Sequence, residues 1–304
     1  MTHTRAVSLM ILVTLLWSIA GVVTRHLDTA QSFEVTFWRS FFNAIALAIG
    51  LTFLRGTALW RHLLQSPLSI WVSGVCWAVM FTAFMVALTL TSVANVLVTM
   101  AIGPLLTALF ARVFLHHRLP RRTWLAIFIA GAGISWMFGQ EMKNGISALG
   151  TLVALAVPLA GAINFTLLQH ISHGTPDPEA VMPTRSPDML PAIFIGAVLS
   201  AAFTLPLAWP MQASMHDISL LALLGSLQLA VPCLLLVRIT RVLPAPEIAL
   251  LCLLEVVFGV LWVWLGAGEA PTSATLTGGA LVLGALLANE LLALKKPASP
   301  SQQK

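Results

Sequence analysis

The chain is written as apolar runs of about twenty residues separated by short polar breaks. A helix needs about 20 apolar residues, rising ~1.5 Å each, to cross the ~30 Å hydrocarbon core of a bilayer. Ten runs fit that measure: 6–24, 33–54, 68–90, 92–114, 123–139, 148–171, 189–209, 217–237, 246–266 and 275–294. The third and fourth are parted only around Thr89–Ser92, but a single helix over both would span the hydrocarbon about twice. The expected fold is therefore an all-α polytopic membrane protein with ten transmembrane helices. Ten spans in 304 residues leave only short loops, and no sizeable soluble domain.

Composition agrees. Hydrophobic residues make up 58% of the chain and charged residues 9%, against about a quarter charged in soluble domains. This excludes a soluble enzyme, a nucleic-acid-binding module and a disordered chain. The net charge of +5 comes from basic residues spread along the chain, not from a basic cluster, so no nucleic-acid partner is expected. Cys76, Cys233 and Cys252 all lie inside apolar runs and read as small buried hydrophobes, not as a disulfide framework or metal site. No metal or cofactor is expected. The first apolar run is followed by more membrane, so it reads as a span and not as a removable signal peptide.

The charges orient the chain. With both termini in the cytoplasm, the inside receives thirteen basic residues: Arg5, Arg55, Arg61, Arg112, Arg118, Arg121, Arg122, Arg185, Arg238, Arg241, Lys295, Lys296 and Lys304. The outside receives only Arg25 and Lys143, together with the acids Asp28, Glu141, Asp217 and Glu269, while Arg39 lies within a helix. This asymmetry follows the positive-inside rule. The polar segment 172–188, with four prolines, reads as a cytoplasmic tether. The tail 297–304 is rich in Pro, Ser and Gln and reads as disordered.

Five runs precede residue 140 and five follow 148, so the second half enters the membrane from the opposite side. Inverted repeats of this kind place a substrate site between the halves near the midplane. Sliding 95–133 by 151 positions brings Pro120 onto Pro271, Leu125 onto Leu276 and Gly133 onto Gly284, with a matching helix–turn–helix layout. The expected organisation is a first five-helix repeat over 1–140 and a second over 141–296.

Polar residues deep in apolar runs are the site candidates. Glu255 lies ten residues into its helix, where an ionised carboxylate must be paired, protonated or facing water. A carboxyl that loads and unloads a proton suits proton-coupled transport; the same residue protonated and hydrogen-bonded between helices would be structural only. Arg39 lies roughly 9 Å below the outer end of the second helix. It can bind a substrate carboxylate as a fork, snorkel outward, or pair with Glu34 or Glu255. Asn95, Asn164 and Gln228 can complete a pocket or serve as interhelical glue. Trp17 and Trp77 lie deep enough to stack on a substrate. Pro104, Pro158 and Pro232 sit inside helices, where kinks can act as gates or hinges or stay static. Gly131, Gly133, Gly278, Gly279 and Gly284 suit close helix packing. There is no P-loop, His-Glu-x-x-His or Gly-x-Ser-x-Gly, so neither ATP hydrolysis nor a membrane enzyme is expected.

Several short motifs occur in a telling order: Leu15-Leu16-Trp17-Ser18-Ile19-Ala20-Gly21; Phe37-Trp38-Arg39-Ser40-Phe41; Ala94-Asn95 leading to Gly103-Pro104-Leu105; Leu253-Leu254-Glu255-Val256-Val257; Trp264-Leu265-Gly266-Ala267-Gly268-Glu269; and Gly278-Gly279-Ala280-Leu281-Val282-Leu283-Gly284. In this order the chain resembles the drug/metabolite transporter superfamily, EamA-like ten-helix type, over about 8–138 and 147–292. Val256 stands where the family often has proline, Arg118 where the first repeat commonly ends in glutamate, and Ala162-Ile163-Asn164 where an aromatic is frequent. These departures bear on the substrate, not on the fold. The resemblance implies a bacterial inner-membrane secondary transporter for a small molecule, commonly an exporter of amino acids or related metabolites. Lipophilic drug efflux, metabolite import and, further off, a non-transport membrane role are the alternatives.

Overall fold

The computed structural model describes residues 2–63, 65–114, 120–143, 148–172, 190–239, 242–243 and 245–294. Among them there is no strand. The helices are α1 (His3–Thr24), α2 (Ser32–Arg55), the short α3 (Ala58–Leu63), α4 (Leu68–Leu90), α5 (Val93–Met100), α6 (Gly103–Phe114), α7 (Arg121–Lys143), α8 (Leu149–Ser172), α9 (Leu190–Thr204), α10 (Met215–Leu223), α11 (Val231–Ile239), α12 (Ala245–Ala267) and α13 (Ser273–Leu294). A π-helical segment, Leu224–Ala230, joins α10 to α11. The tether beyond Ser172, the tail 297–304 and the charges Arg118, Arg185, Arg241, Lys295, Lys296 and Lys304 lie outside the described residues.

The helices follow the apolar runs, and their ends have local causes. Thr2 accepts the Arg5 N–H at the start of α1, and Ser92 accepts the Asn95 N–H at the start of α5. Such caps satisfy donors that have no partner inside the helix. Ser214 and Asp217 form a reciprocal capping box on α10. α2 and α12 run out into Gly56 and Gly268, both at positive φ, a conformation that glycine adopts without strain.

Three runs depart from a simple helix, each at a proline. The run 92–114 is two helices. Ala101 N–H closes α5, and the Ile102 carbonyl then accepts Leu105 and Leu106 to open α6. Pro104 thus falls in the first turn of α6, where its missing N–H costs nothing, rather than kinking a continuous helix. The run 217–237 widens into the π segment before Pro232. Proline has no N–H for the Gln228 carbonyl and crowds it, and the Val231 N–H reaches back to Ser226 instead. The run 189–209 ends as helix at Thr204, because Leu205 precedes Pro206 and is steered away from helical geometry. Pro158 stays within α8.

Five stretches are long and apolar enough to cross a membrane: His3–Thr24, Ser32–Arg55, Leu68–Leu90, Val93–Phe114 and Met215–Leu236. Phe53, Phe128 and Leu265 stand largely exposed on the bundle's outside. Apolar surface on that scale needs lipid against it, and the chain is a multi-pass membrane protein.

Helices from early and late in the chain pack on one another. α1 lies along α12, α2 along α9 and the π segment, α4 between α8 and α9, and α7 along α13. The main core gathers Met85, Leu88, Val96, Leu97, Leu105, Leu224, Val282 and Leu286. Hydroxyls tie the packing where carbon cannot: Ser200 of α9 lies 2.9 Å from both Ser40 of α2 and Thr82 of α4.

Two of the five glycines expected at helix crossings meet face to face. A Cβ on Gly133 would lie 2.7 Å from the Gly278 carbonyl oxygen, and one on Gly278 would lie 2.7 Å from that of Gly133. A Cβ on Gly279 would press against Val98, whereas Gly131 and Gly284 face open space. Backbone cannot yield as a side chain can, so Gly278→Ala must separate α7 from α13. It is expected to cost about 1–3 kcal/mol, lowering the thermal midpoint in detergent, while Gly131→Ala leaves it unchanged.

Candidate functional site

Two charged side chains, Arg39 on α2 and Glu255 on α12, are held inside the bundle. Arg39 is 2% exposed. Its Nε and Nη2 donate to Gln228 Oε1 at 3.3 and 2.9 Å. Gln228 Nε2 donates in turn to the Trp17 carbonyl on α1 at 3.1 Å. The Phe84 ring on α4 covers the guanidinium, with the centroid 5.5 Å from Cζ. Three sequence candidates, Arg39, Gln228 and Trp17, thereby meet across α1, α2 and the π segment. The approach requires Gly225: its Cβ would lie 2.5 Å from the Arg39 carbonyl oxygen and 2.8 Å from the Asn43 nitrogen.

Of the roles open to Arg39, pairing with Glu34 and snorkelling are both overturned. Glu34 is itself buried and accepts the backbone N–H groups of Gln212 and Ala213 at 2.9 and 2.8 Å. Arg39 Nη1 has no hydrogen-bond partner among the described residues. One turn along α2, the buried Asn43 amide likewise has none at either atom. Asn43 escaped the sequence reading, although its four-residue spacing from Arg39 places both on one face of the helix.

Glu255 is partly buried and makes no hydrogen bond or ion pair to a described residue. It lines a cavity of about 100 Å³ with Leu97, Met100, Ala101, Pro104, Cys252, Val256 and Leu286. The broken helix thus opens onto the carboxyl: Met100 and Ala101 end α5, and Pro104 begins α6. Arg39 directs its hydrogen bonds to Gln228 and none to Glu255. One turn above Glu255, Gly259 lets α12 approach Leu97 and the Ser18 carbonyl. Trp262 donates to Ser18 Oγ at 3.1 Å.

Asn95, Asn164 and Trp77 are separate from this pair. Asn95 donates to Thr151 Oγ1 at 2.6 Å and to Thr91 Oγ1 at 3.2 Å, which makes it a bridge from α5 to α8 near one end of the bundle. Asn164 is fully buried in α8 with both amide atoms lacking a partner among the described residues. Trp77 packs on Phe81, with centroids 5.5 Å apart, in the cluster formed with Leu47, Leu51 and Ile193. Pro104 lines the cavity, Pro232 follows the π segment that carries Gln228, and Pro158 packs close to Gly103.

Asp28, His216 and Asp217 bring ligand-type atoms within 4.8 Å of one another. Asp217 is committed elsewhere, accepting the backbone N–H groups of Asp28, Thr29 and Ala30 at 2.7–3.0 Å. Those donors present positive ends where a cation would have to sit, so the cluster reads as a loop anchor.

The Arg39–Gln228 contact generates a prediction. A hydrogen bond to a charged group contributes about 1.5–3 kcal/mol, and an orphaned buried charge costs more. Gln228→Leu should therefore lower stability by at least about 2 kcal/mol, read as earlier thermal aggregation of detergent-purified protein. Gln228→Glu, which keeps the acceptor for Arg39 but loses the donor to the Trp17 carbonyl, should fall between the wild type and Gln228→Leu.

Comparison with known proteins agrees with this architecture. A solved structure titled only "Crystal structure of protein" superposes with a TM-score of 0.61 at 19% identity, covering 97% of this chain and 100% of that one. At that identity the likeness speaks for the fold alone. No curated protein matches. Residues 4–139, which hold Arg39, Asn43 and the broken helix α5–α6, match the model of the EamA-like transporter family. That likeness to the EamA-like transporter family is confined to residues 4–139.

Proposed function

We propose that the protein is a secondary transporter that exports amino acids or related small metabolites by alternating access, with Glu255 as the coupling or gating acid. The observation that carries this reading is the Glu255 carboxyl, which faces a cavity at a helix break without a hydrogen-bonding or ionic partner among the described residues. A structural acid deep in a membrane bundle would be satisfied by a neighbouring helix. A cavity of about 100 Å³ holds some three waters at ~30 Å³ each. Small-molecule sites need about 300–1,000 Å³, so the site must widen to admit a substrate. Arg39 Nη1 and the Asn43 amide, buried and without a partner among the described residues, supply donors for a substrate carboxylate in that wider state. Gln228 and the Trp17 carbonyl hold the other edge of the guanidinium in place.

The packing supports two inverted five-helix repeats, 1–140 and 141–296. Inversion requires each contact to have a counterpart, and the main ones do. α1 on α12 is mirrored by α8 on α5 and α6; α4 on α8 by α1 on the π segment and α11; α4 on α9 by α2 on α10 and the π segment; α12 on α13 by α6 on α7. The charge asymmetry supports a cell-membrane location with both termini cytoplasmic. On that orientation the loops holding Arg25, Asp28, Asp217 and Glu269 lie outside together, in keeping with their hydrogen bonding to one another's segments.

The test is metabolite release. Cells producing the wild type, Glu255→Gln or no transporter, at matched membrane levels, are compared for amino acids and small metabolites in the medium. At least one compound should accumulate with the wild type, and its release should fall at least about tenfold with Glu255→Gln, a conservative bound beside the ~10²–10⁴-fold that a positioned proton-transfer group contributes to a reaction. Equal release with both forms would remove Glu255 from the mechanism. Release equal to that of cells without the transporter would remove export.

A further inference from the structure

At one end of the bundle a single arginine binds three structural elements. Arg25 follows α1. Its Nε donates to Glu269 Oε2 at 2.5 Å, Nη1 to the Leu88 carbonyl at 2.5 Å and Nη2 to the Thr91 carbonyl at 2.8 Å. Every nitrogen of the guanidinium therefore has an acceptor. Glu269, in the turn between α12 and α13, divides its carboxylate: the other oxygen accepts the Val93 N–H, the first of α5, at 2.8 Å. Leu88 and Thr91 end α4, so their carbonyls lack helical partners, and Val93 N–H is an orphan donor for the same reason. The pair thus caps α4 and α5 at once and ties both to α1 and to the α12–α13 turn.

α5 connects this cluster to the cavity. It is one rigid stretch of 8 residues, about 12 Å long. Its first residue is held by Glu269 and its last, Met100, lines the Glu255 cavity. The chain then breaks at Ala101–Ile102 before α6 starts afresh. With the clasp open and a break at the other end, α5 can tilt as a unit about its Asn95–Thr151 bond to α8. The side chains of Arg25 and Glu269 are 25% and 24% exposed. Water can therefore take over their hydrogen bonds, which a fully buried pair would not permit.

We infer that the Arg25–Glu269 clasp is a reversible latch that seals this end of the Glu255 cavity and is released when α5 moves. The inference rests on the transport reading for its purpose but not for its test. Cys252 lines the cavity, and Cys76→Ala with Cys233→Ala leaves it the only cysteine. The probe is a charged, membrane-impermeant methanethiosulfonate applied to right-side-out spheroplasts and, separately, to everted vesicles. In the latched protein Cys252 reacts slowly from the clasp side. Arg25→Gln and Glu269→Gln should each speed its modification from that side at least about tenfold, the shift expected for losing one charge-assisted hydrogen bond. The rate from the opposite side should not change.

An unchanged rate from the clasp side in both variants overturns the latch. So does an equal rise from both sides, which would mark general loosening, and so does failure of Cys252 to react in any form. Glu269→Asp, which keeps the charge and one acceptor, should react more slowly than Glu269→Gln; equal rates would also count against the latch. Metabolite release is read separately on the wild type, so release no greater than that of cells without the transporter, with a positive labelling result, would sink the transport reading and leave the latch standing.

Discussion

The organising constraint is the cost of a charge away from water. A guanidinium inside an apolar bundle cannot be left undressed, and Arg39 commits most of its surroundings. Two of its nitrogens require Gln228, and Gln228 requires a second anchor on the Trp17 carbonyl. Gly225 must lack a side chain for the π segment to come close enough, and Phe84 covers the remaining face. Four helical segments are set relative to one another by this single side chain. The glycine contact between α7 and α13, far from any charge, shows the other means of assembly, in which backbones approach closely and dispersion supplies the attraction.

Proline shapes the middle of the bundle. Pro104 and Pro232 do not merely bend helices that would otherwise be regular. One begins a new helix, so that the Ala101–Ile102 break opens beside Glu255, and the other imposes a wider turn that carries Gln228 toward Arg39. Irregular backbone in a membrane protein persists where it lines a cavity or is buried in protein. Both cases occur here, and both irregularities adjoin an intramembrane charge. The ends of the bundle are built differently. There Arg25 and Glu269 spend their polar groups on backbone N–H and carbonyl groups that helix termini leave open, and Glu34 and Asp217 spend theirs on N–H groups of the loops.

Much of this was legible beforehand. The apolar runs marked most of the helical stretches, five of them long and apolar enough to cross a membrane, because a bilayer imposes a length that any spanning segment must meet. Charge counting placed Arg25 and Glu269 at the same end, where they bind. Glu255, Arg39 and Gln228 stood out because a polar residue deep in an apolar run needs a reason to be there. Asn95 shows the limit of that logic. It had the same credentials, and packing made it a bridge to Thr151. Asn43 shows the converse, being passed over although it lies on the Arg39 face with no partner among the described residues.

The sequence alone determined the helical, membrane-spanning class of the chain, two of the prolines that interrupt its runs, Pro104 and Pro232, and part of the list of buried polar groups. Those follow from hydrophobic length, proline geometry and the cost of burial, all of which act locally. Only the tertiary structure decided which polar groups meet. By sequence Arg39 could have bound a substrate carboxylate, snorkelled outward, or paired with Glu34 or Glu255; it meets Gln228, 189 positions away. The partner of a buried charge depends on how helices cross, and the crossings depend on contacts such as Gly225 against α2 and Gly133 against Gly278. These contacts join residues far apart in the chain, and no local pattern encodes them.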